Sequence, residues 1–151
     1  DSPEYSAWSI ARPKAYLAHL FCMVEEAGQS WQVGFVDEGL VTVFEMGDVI
    51  KQLPEDKPFT RPDETVPRLD EGAINLDIDA ALSKAANVQQ EKYPADRPFK
   101  KIIILQTIDD RVVYNVTYVT QSFKTLNIRV AADTGEIISD KLVSFFDIEK
   151  K

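Results

Sequence analysis

The sequence predicts an α+β fold built as two helix-then-antiparallel-strand units, with helices packed on antiparallel sheet. Three observations carry this expectation. Val112-Val113-Tyr114-Asn115-Val116-Thr117-Tyr118-Val119 alternates cleanly, and Leu126, Ile128 and Val130 alternate with Asn127 and Arg129, the period of two that marks a strand with distinct faces. Short polar turns at Asp37-Glu38-Gly39, Asp109-Asp110 and Asp133-Thr134-Gly135 leave room only for antiparallel neighbours. Each group of strands also follows a stretch with helix start and stop signals.

Residues 1–53 read as a helix plus a β-hairpin. From Pro13 to Gly28 the chain offers a proline suited to a first helical turn and a glycine suited to a left-handed stop. Apolar positions run almost all the way round from Ala15 to Val24, so the expected helix is buried on more than one side. Trp31, Val33 and Phe35 then alternate with Gln32 and Gly34, and Asp37-Glu38-Gly39 turns the chain into Leu40-Val41-Thr42-Val43-Phe44, a hairpin pattern.

Residues 54–75 form a Pro-rich connection, with Pro54, Pro58, Pro62 and Pro67 set among charges and no periodicity. Structureless stretches beyond ~15 residues are uncommon inside compact domains, so this one is expected to wrap over the core or to link two units. Residues 76–151 begin with a helix capped by Asp77 or Asp79, carrying Ile78, Leu82, Ala85 and Ala86 on one face and ending near Tyr93-Pro94. Four strands follow: Ile102 to Thr107, Val112 to Val119, Leu126 to Val130, and Glu136-Ile137-Ile138 onward to Phe145-Phe146. The chain's length also permits one compact domain overall.

These elements, and above all Tyr114-Asn115-Val116 and Val130-Ala131-Ala132-Asp133-Thr134-Gly135-Glu136-Ile137-Ile138, are similar to the PepSY family. That family shows a helix, Tyr-x-Val-type strands and a closing turn with Thr-Gly-Glu. The resemblance spans roughly residues 76–146. It implies a PepSY- or cystatin-like helix-on-sheet module of the kind found in propeptides of secreted peptidases and in envelope proteins. An inhibitory or regulatory role, a peptidase or envelope protein as partner, and an exported or extracellular location come with it; catalytic residues do not. The N-terminal half has the same helix-then-strands order, without a residue-level repeat.

Composition narrows the function. Seventeen basic residues against 25 acidic ones give a net charge of −8, which repels phosphate backbones and argues against nucleic acid as a partner. No apolar run approaches the ~20 residues of a membrane-spanning helix. The segment starting Asp1-Ser2-Pro3-Glu4 lacks the basic start and apolar core of a signal peptide and fits the mature end left once such a peptide is cleaved. Cys22 is the only cysteine and His19 the only histidine, so an internal disulfide, paired-cysteine zinc sites and multi-histidine sites are excluded. No cofactor and no metal are expected.

On the predicted helix, His19 and Cys22 share a face at the spacing a thiol and a base use. Their apolar surroundings favour a core role instead. The acidic pairs Asp37-Glu38, Asp70-Glu71, Asp77 with Asp79, and Asp109-Asp110 all fall at turns or helix starts, where aspartate caps. Gly-rich phosphate loops are absent. Catalytic residues are therefore not assigned, and the expected function is a non-catalytic binding or regulatory module, inhibitor- or propeptide-like. A small-ligand pocket or small enzyme site between helix and sheet, and a purely structural domain, are the alternatives. Binding residues are expected on the polar strand face, Asn115, Thr117, Asn127 and Arg129, and in the Pro-rich stretch at Phe59 and Arg61. Trp8, Trp31, Phe35, Phe44, Tyr114, Tyr118, Phe145 and Phe146 are expected to be core, with any exposed subset marking a patch.

Overall fold

A computed structural model describes residues 3–25, 28–47, 50–54 and 66–144. The chain runs through α1 (Pro3–Ala11), β1 (Tyr16–Glu25), β2 (Gly28–Asp37), β3 (Leu40–Met46), β4 (Lys51–Gln52), a 3₁₀ turn (Glu71–Ala73), α2 (Ile78–Lys92), β5 (Pro98–Ile108), β6 (Arg111–Thr120), β7 (Lys124–Ala131) and β8 (Ile137–Ser144). All eight strands join one antiparallel sheet in the order β4-β3-β2-β1-β5-β6-β7-β8.

This overturns the fold class expected from the sequence. The described residues form not a pair of helix-on-sheet units but a single eight-stranded antiparallel sheet with two short helices of nine and 15 residues. The decisive difference is the stretch read as a helix from Pro13 to Gly28, which is strand β1 from Tyr16 to Glu25. Its all-round apolarity has another cause. β1 lies between β2 and β5 in the middle of the sheet; Leu20 and Cys22 join the core on the helix side while Phe21 and Met23 lie half-buried beside Ile104 and Ile102 on the other, so both alternating sets of positions are apolar and the period of two is lost. Pro13 and Lys14 instead form a turn after α1, with Arg12 N–H bonded to the Ser9 carbonyl and Ala15 N–H to that of Arg12.

Local chemistry sets the turns. Glu38 and Gly39 (φ 50° and 80°) and Asp109 and Asp110 (φ 50° and 64°) both take the double positive-φ geometry whose twist suits a two-residue hairpin. Asp77 caps α2 by accepting the Ala80 N–H at 2.8 Å. At the other end of α2, Asp140 on β8 accepts hydrogen bonds from Tyr93 Oη and Lys92 Nζ.

Register and alternation divide the sheet into two faces. On one, Val112, Tyr114, Val116 and Tyr118 of β6 meet Leu126, Ile128 and Val130 of β7, Ile103 and Leu105 of β5 and Cys22 of β1. Ala81 and Ala85 of α2 are fully buried against them, their short side chains letting the helix axis approach closely. Truncating Ile128 to Ala there would cost about 2–5 kcal/mol. The same face continues through Val33 and Phe35 of β2 to Phe44 of β3, where Tyr5 and Trp8 of α1 pack with ring centroids 5.3–5.4 Å from Phe35 and Phe44. Both helices thus cover one face.

Residues 66–76 are pinned along the sheet: Leu69 N–H bonds the Leu17 carbonyl, Asn75 and Leu76 N–H bond that of Ala132, and the Tyr114 hydroxyl donates to the Leu76 carbonyl at 2.6 Å. Hydrogen bonding between β1 and β5 carries the sheet across the boundary between the segments 1–53 and 76–151.

On the other face the His19 ring lies over Gly34, its cross-strand partner on β2, so closely that a Cβ at position 34 would overlap the imidazole. The Gly34→Ala variant is therefore expected to lose about 1–3 kcal/mol in urea unfolding. Adding His19→Ala should relieve part of that loss, giving a coupling above about 0.5 kcal/mol; additive losses would show that the two side chains do not compete for space.

Candidate functional site

Asn115 and Thr117 on β6 face Arg129 and Asn127 on β7 across the ladder, and alternation puts all four on the side away from α2. They form a connected group. The Asn127 amide nitrogen donates to Asn115 Oδ1 at 2.6 Å and Thr117 Oγ1 at 3.0 Å, with a longer contact to the Val116 carbonyl at 3.4 Å. One amide thereby holds two neighbouring side chains in fixed rotamers. Arg129 differs: its Nε is buried without a hydrogen-bond partner, and no carboxylate pairs with it among the described residues. An unpaired guanidinium beside satisfied amides is a ready partner for a carboxylate, which it binds in bidentate fashion.

Cross-strand partners extend this polar ladder into an apolar strip. Ile104 and Ile102 of β5 lie opposite Asn115 and Thr117, and Phe21 and Met23 of β1 lie opposite those isoleucines. All four apolar side chains are half-buried, and neither helix lies on their side of the sheet. Sequence reasoning missed Phe21 and Met23 because it placed them on a helix; a two-sided apolar run next to strong strands is the signal that could have found them. Phe59 and Arg61, the other expected binding residues, lie outside the described residues.

The remaining candidates have structural partners. Three residues apart on a strand means opposite faces, so His19 faces Gly34 and Gln106 while Cys22 faces Trp31 and Ile103 on the other side. The predicted shared face does not exist. Burial lowers the His19 pKa and raises that of Cys22, which keeps both neutral. Asp70 accepts the Gly72 N–H and Asp37 pairs with Arg12. Among the described residues there is no group of three or more His, Cys, Asp or Glu side chains able to hold a metal.

The Asp133-Thr134-Gly135-Glu136 motif is a self-bonded turn. Asp133 Oδ1 accepts the Thr134 N–H at 2.7 Å, Thr134 Oγ1 accepts the Glu136 N–H, and Gly135 takes φ 77°. Arg111 reaches across from β6 to Asp133 at 3.2 Å and Glu136 at 3.4 Å. The backbone N–H of Thr134 and then Arg111 hold the Asp133 carboxyl below its ordinary pKa. Of the aromatic residues, Trp8, Phe44, Tyr114 and Tyr118 are buried and Trp31 and Phe35 half-buried, while Phe145 and Phe146 lie outside the described residues. Among the described residues the exposed rings are Phe99 and Phe123, at 53% and 66%.

No protein-family model matches this chain, and no curated protein matches it. Among solved structures it resembles that of a "putative lipoprotein" from Clostridium difficile 630, with a TM-score of 0.58 at 14% identity over 93% of each chain. At that identity the likeness concerns the fold alone. No helix among the described residues is long and apolar enough to cross a membrane.

The buried His19 yields a pH test. Its neutral form is favoured in the folded protein, whereas the unfolded chain takes up the proton near pH 6.5. Between that value and the lower folded one the unfolded state binds more protons, so stability falls as the pH drops below about 6.5. Urea unfolding between pH 7.5 and 5 should show that decline, and His19→Gln should remove its share of it. Equal pH slopes in the two proteins would place the imidazole in contact with water.

Proposed function

We propose that the protein is a non-catalytic binding module of PepSY-like character that engages an exported or envelope protein through the helix-free face of its sheet. The observation that carries this reading is Arg129, half-buried and unpaired beside the fixed Asn115–Thr117–Asn127 group. The Arg129 side chain keeps its positive charge without a carboxylate among the described residues, so a partner carboxylate at its outer guanidinium nitrogens would supply the missing counter-charge. Phe21, Met23, Ile102 and Ile104 next to it supply the apolar area that a protein partner would cover. The name of the structurally similar protein is compatible with a place in the cell envelope. The Thr-Gly-Glu turn and Tyr-x-Val strand support a peptidase as the partner class, with regulation as the outcome.

The tagged protein, incubated with the culture medium and envelope fraction of its source, is expected to retain one protein in stoichiometric amount. Arg129→Gln should weaken that complex by tenfold or more, about 1.4 kcal/mol, without destabilising the free protein, whereas Asn127→Ala should weaken it and also cost about 0.5–1.5 kcal/mol of stability for each hydrogen bond lost to Asn115 and Thr117. If a peptidase is retained, adding the module should slow its hydrolysis of a peptide substrate. A large stability loss in Arg129→Gln with unchanged binding would show that this face is interior, and would sink the proposal.

A further inference from the structure

On the opposite face of the sheet, between the areas covered by α1 and α2, lies a half-open cavity of about 280 Å³. Leu20, Cys22, Trp31, Ile103 and Leu105 rise from the strands to form its floor, and Ile74, just after the 3₁₀ turn, and Ile78, the first residue of α2, line its other side. Two polar residues reach it, Tyr114 and Asp77. The tyrosine hydroxyl is engaged with the Leu76 carbonyl, so it offers no donor to a guest. The rest of the wall is apolar, so water held there makes few hydrogen bonds and an apolar guest displaces it favourably. The volume is nearly twice the ~150 Å³ apolar cavity that stays dry and accepts benzene, enough for a short alkyl chain or a small ring system.

Asp77 sets the charge preference. One of its oxygens caps α2 through the Ala80 N–H, and no cation pairs with it among the described residues. A helix start contributes roughly half a positive charge against the full negative charge of the carboxylate, so the rim stays negative, and the net charge of −8 acts in the same direction. We propose that this cavity binds a small apolar molecule bearing an ammonium group, its alkyl or aromatic body between Trp31 and Ile78 and its cation at Asp77. This site lies on the other side of the sheet from Arg129 and does not depend on the protein-binding reading.

The test uses n-octylamine, n-octanol and octanoate, each below its micelle concentration. The chain has two tryptophans, so Trp8→Phe leaves Trp31 as the sole indole reporter. Octylamine is expected to change Trp31 emission saturably and to raise the melting temperature of the unmodified protein. It should bind at least tenfold tighter than octanoate. Asp77→Asn retains a good N-cap and should lower octylamine affinity to that of octanol. Ile78→Phe, which fills the cavity, should abolish binding. Absence of saturable binding in both readouts, equal affinity for all three compounds, or a filled variant that folds and binds unchanged would each overturn the proposal.

Discussion

The antiparallel pairing of β1 with β5, from His19 opposite Gln106 to Val24 opposite Lys101, is the contact on which the rest of the structure depends. It joins segments some eighty residues apart in the chain, and the entropy of closing such a loop grows only slowly with its length. In return two four-stranded meanders become one sheet, and the edges at β1 and β5 disappear. Exposed edges of this kind invite pairing with other chains. Among the described residues the edges are the short β4 and the charge-bearing β8. Because so much of the structure rests on non-local strand pairs, slow folding is expected relative to helical proteins of this size.

Placing both helices on one face makes the two faces different in kind. The α2 side holds the fully buried Val116, Leu126, Ile128 and Val130. Tyr5 and Trp8 anchor α1 on Phe35 and Phe44 further along. The helices do not meet over the centre, and the apolar cavity above Cys22 and Ile103 is the consequence. On the other face neither described helix covers the strip from Phe21 to Arg129, whose side chains are half-buried, while Val113 and Ala131 beyond it are buried. Both proposed binding surfaces thus lie where the two helices leave the sheet uncovered.

Charge and hydrogen bonding serve mainly to hold elements in place. Arg111 ties the β6 start to the Asp133–Glu136 turn, and Tyr93 and Lys92 tie the end of α2 to Asp140, whose carboxyl is held below its ordinary pKa by those two donors. Buried Gln89 donates to the Tyr93 and Asp96 carbonyls, and Ser122 donates to Asp96 at 2.6 Å. Against this background two buried donors have no hydrogen-bond partner among the described residues, Trp8 Nε1 under α1 and Arg129 Nε on the opposite face.

Features governed by neighbours in the chain were legible in the sequence. The turns at Glu38-Gly39 and Asp109-Asp110 arise from residues that tolerate positive φ, the Asp77 cap from a side chain that reaches its own helix, and the common face of Asn115, Thr117, Asn127 and Arg129 from the period-two geometry of any strand. Features governed by distant partners were decided only by the tertiary structure. An apolar run such as Ala15 to Val24 satisfies a buried helix and a central strand equally well, and the hydrogen-bonding neighbours β2 and β5 selected the strand. That choice separated His19 from Cys22, put Phe21 and Met23 beside the polar ladder, and opened the cavity. None of these could be read locally, because each depends on which strand lies next to β1 rather than on the residues of β1 itself.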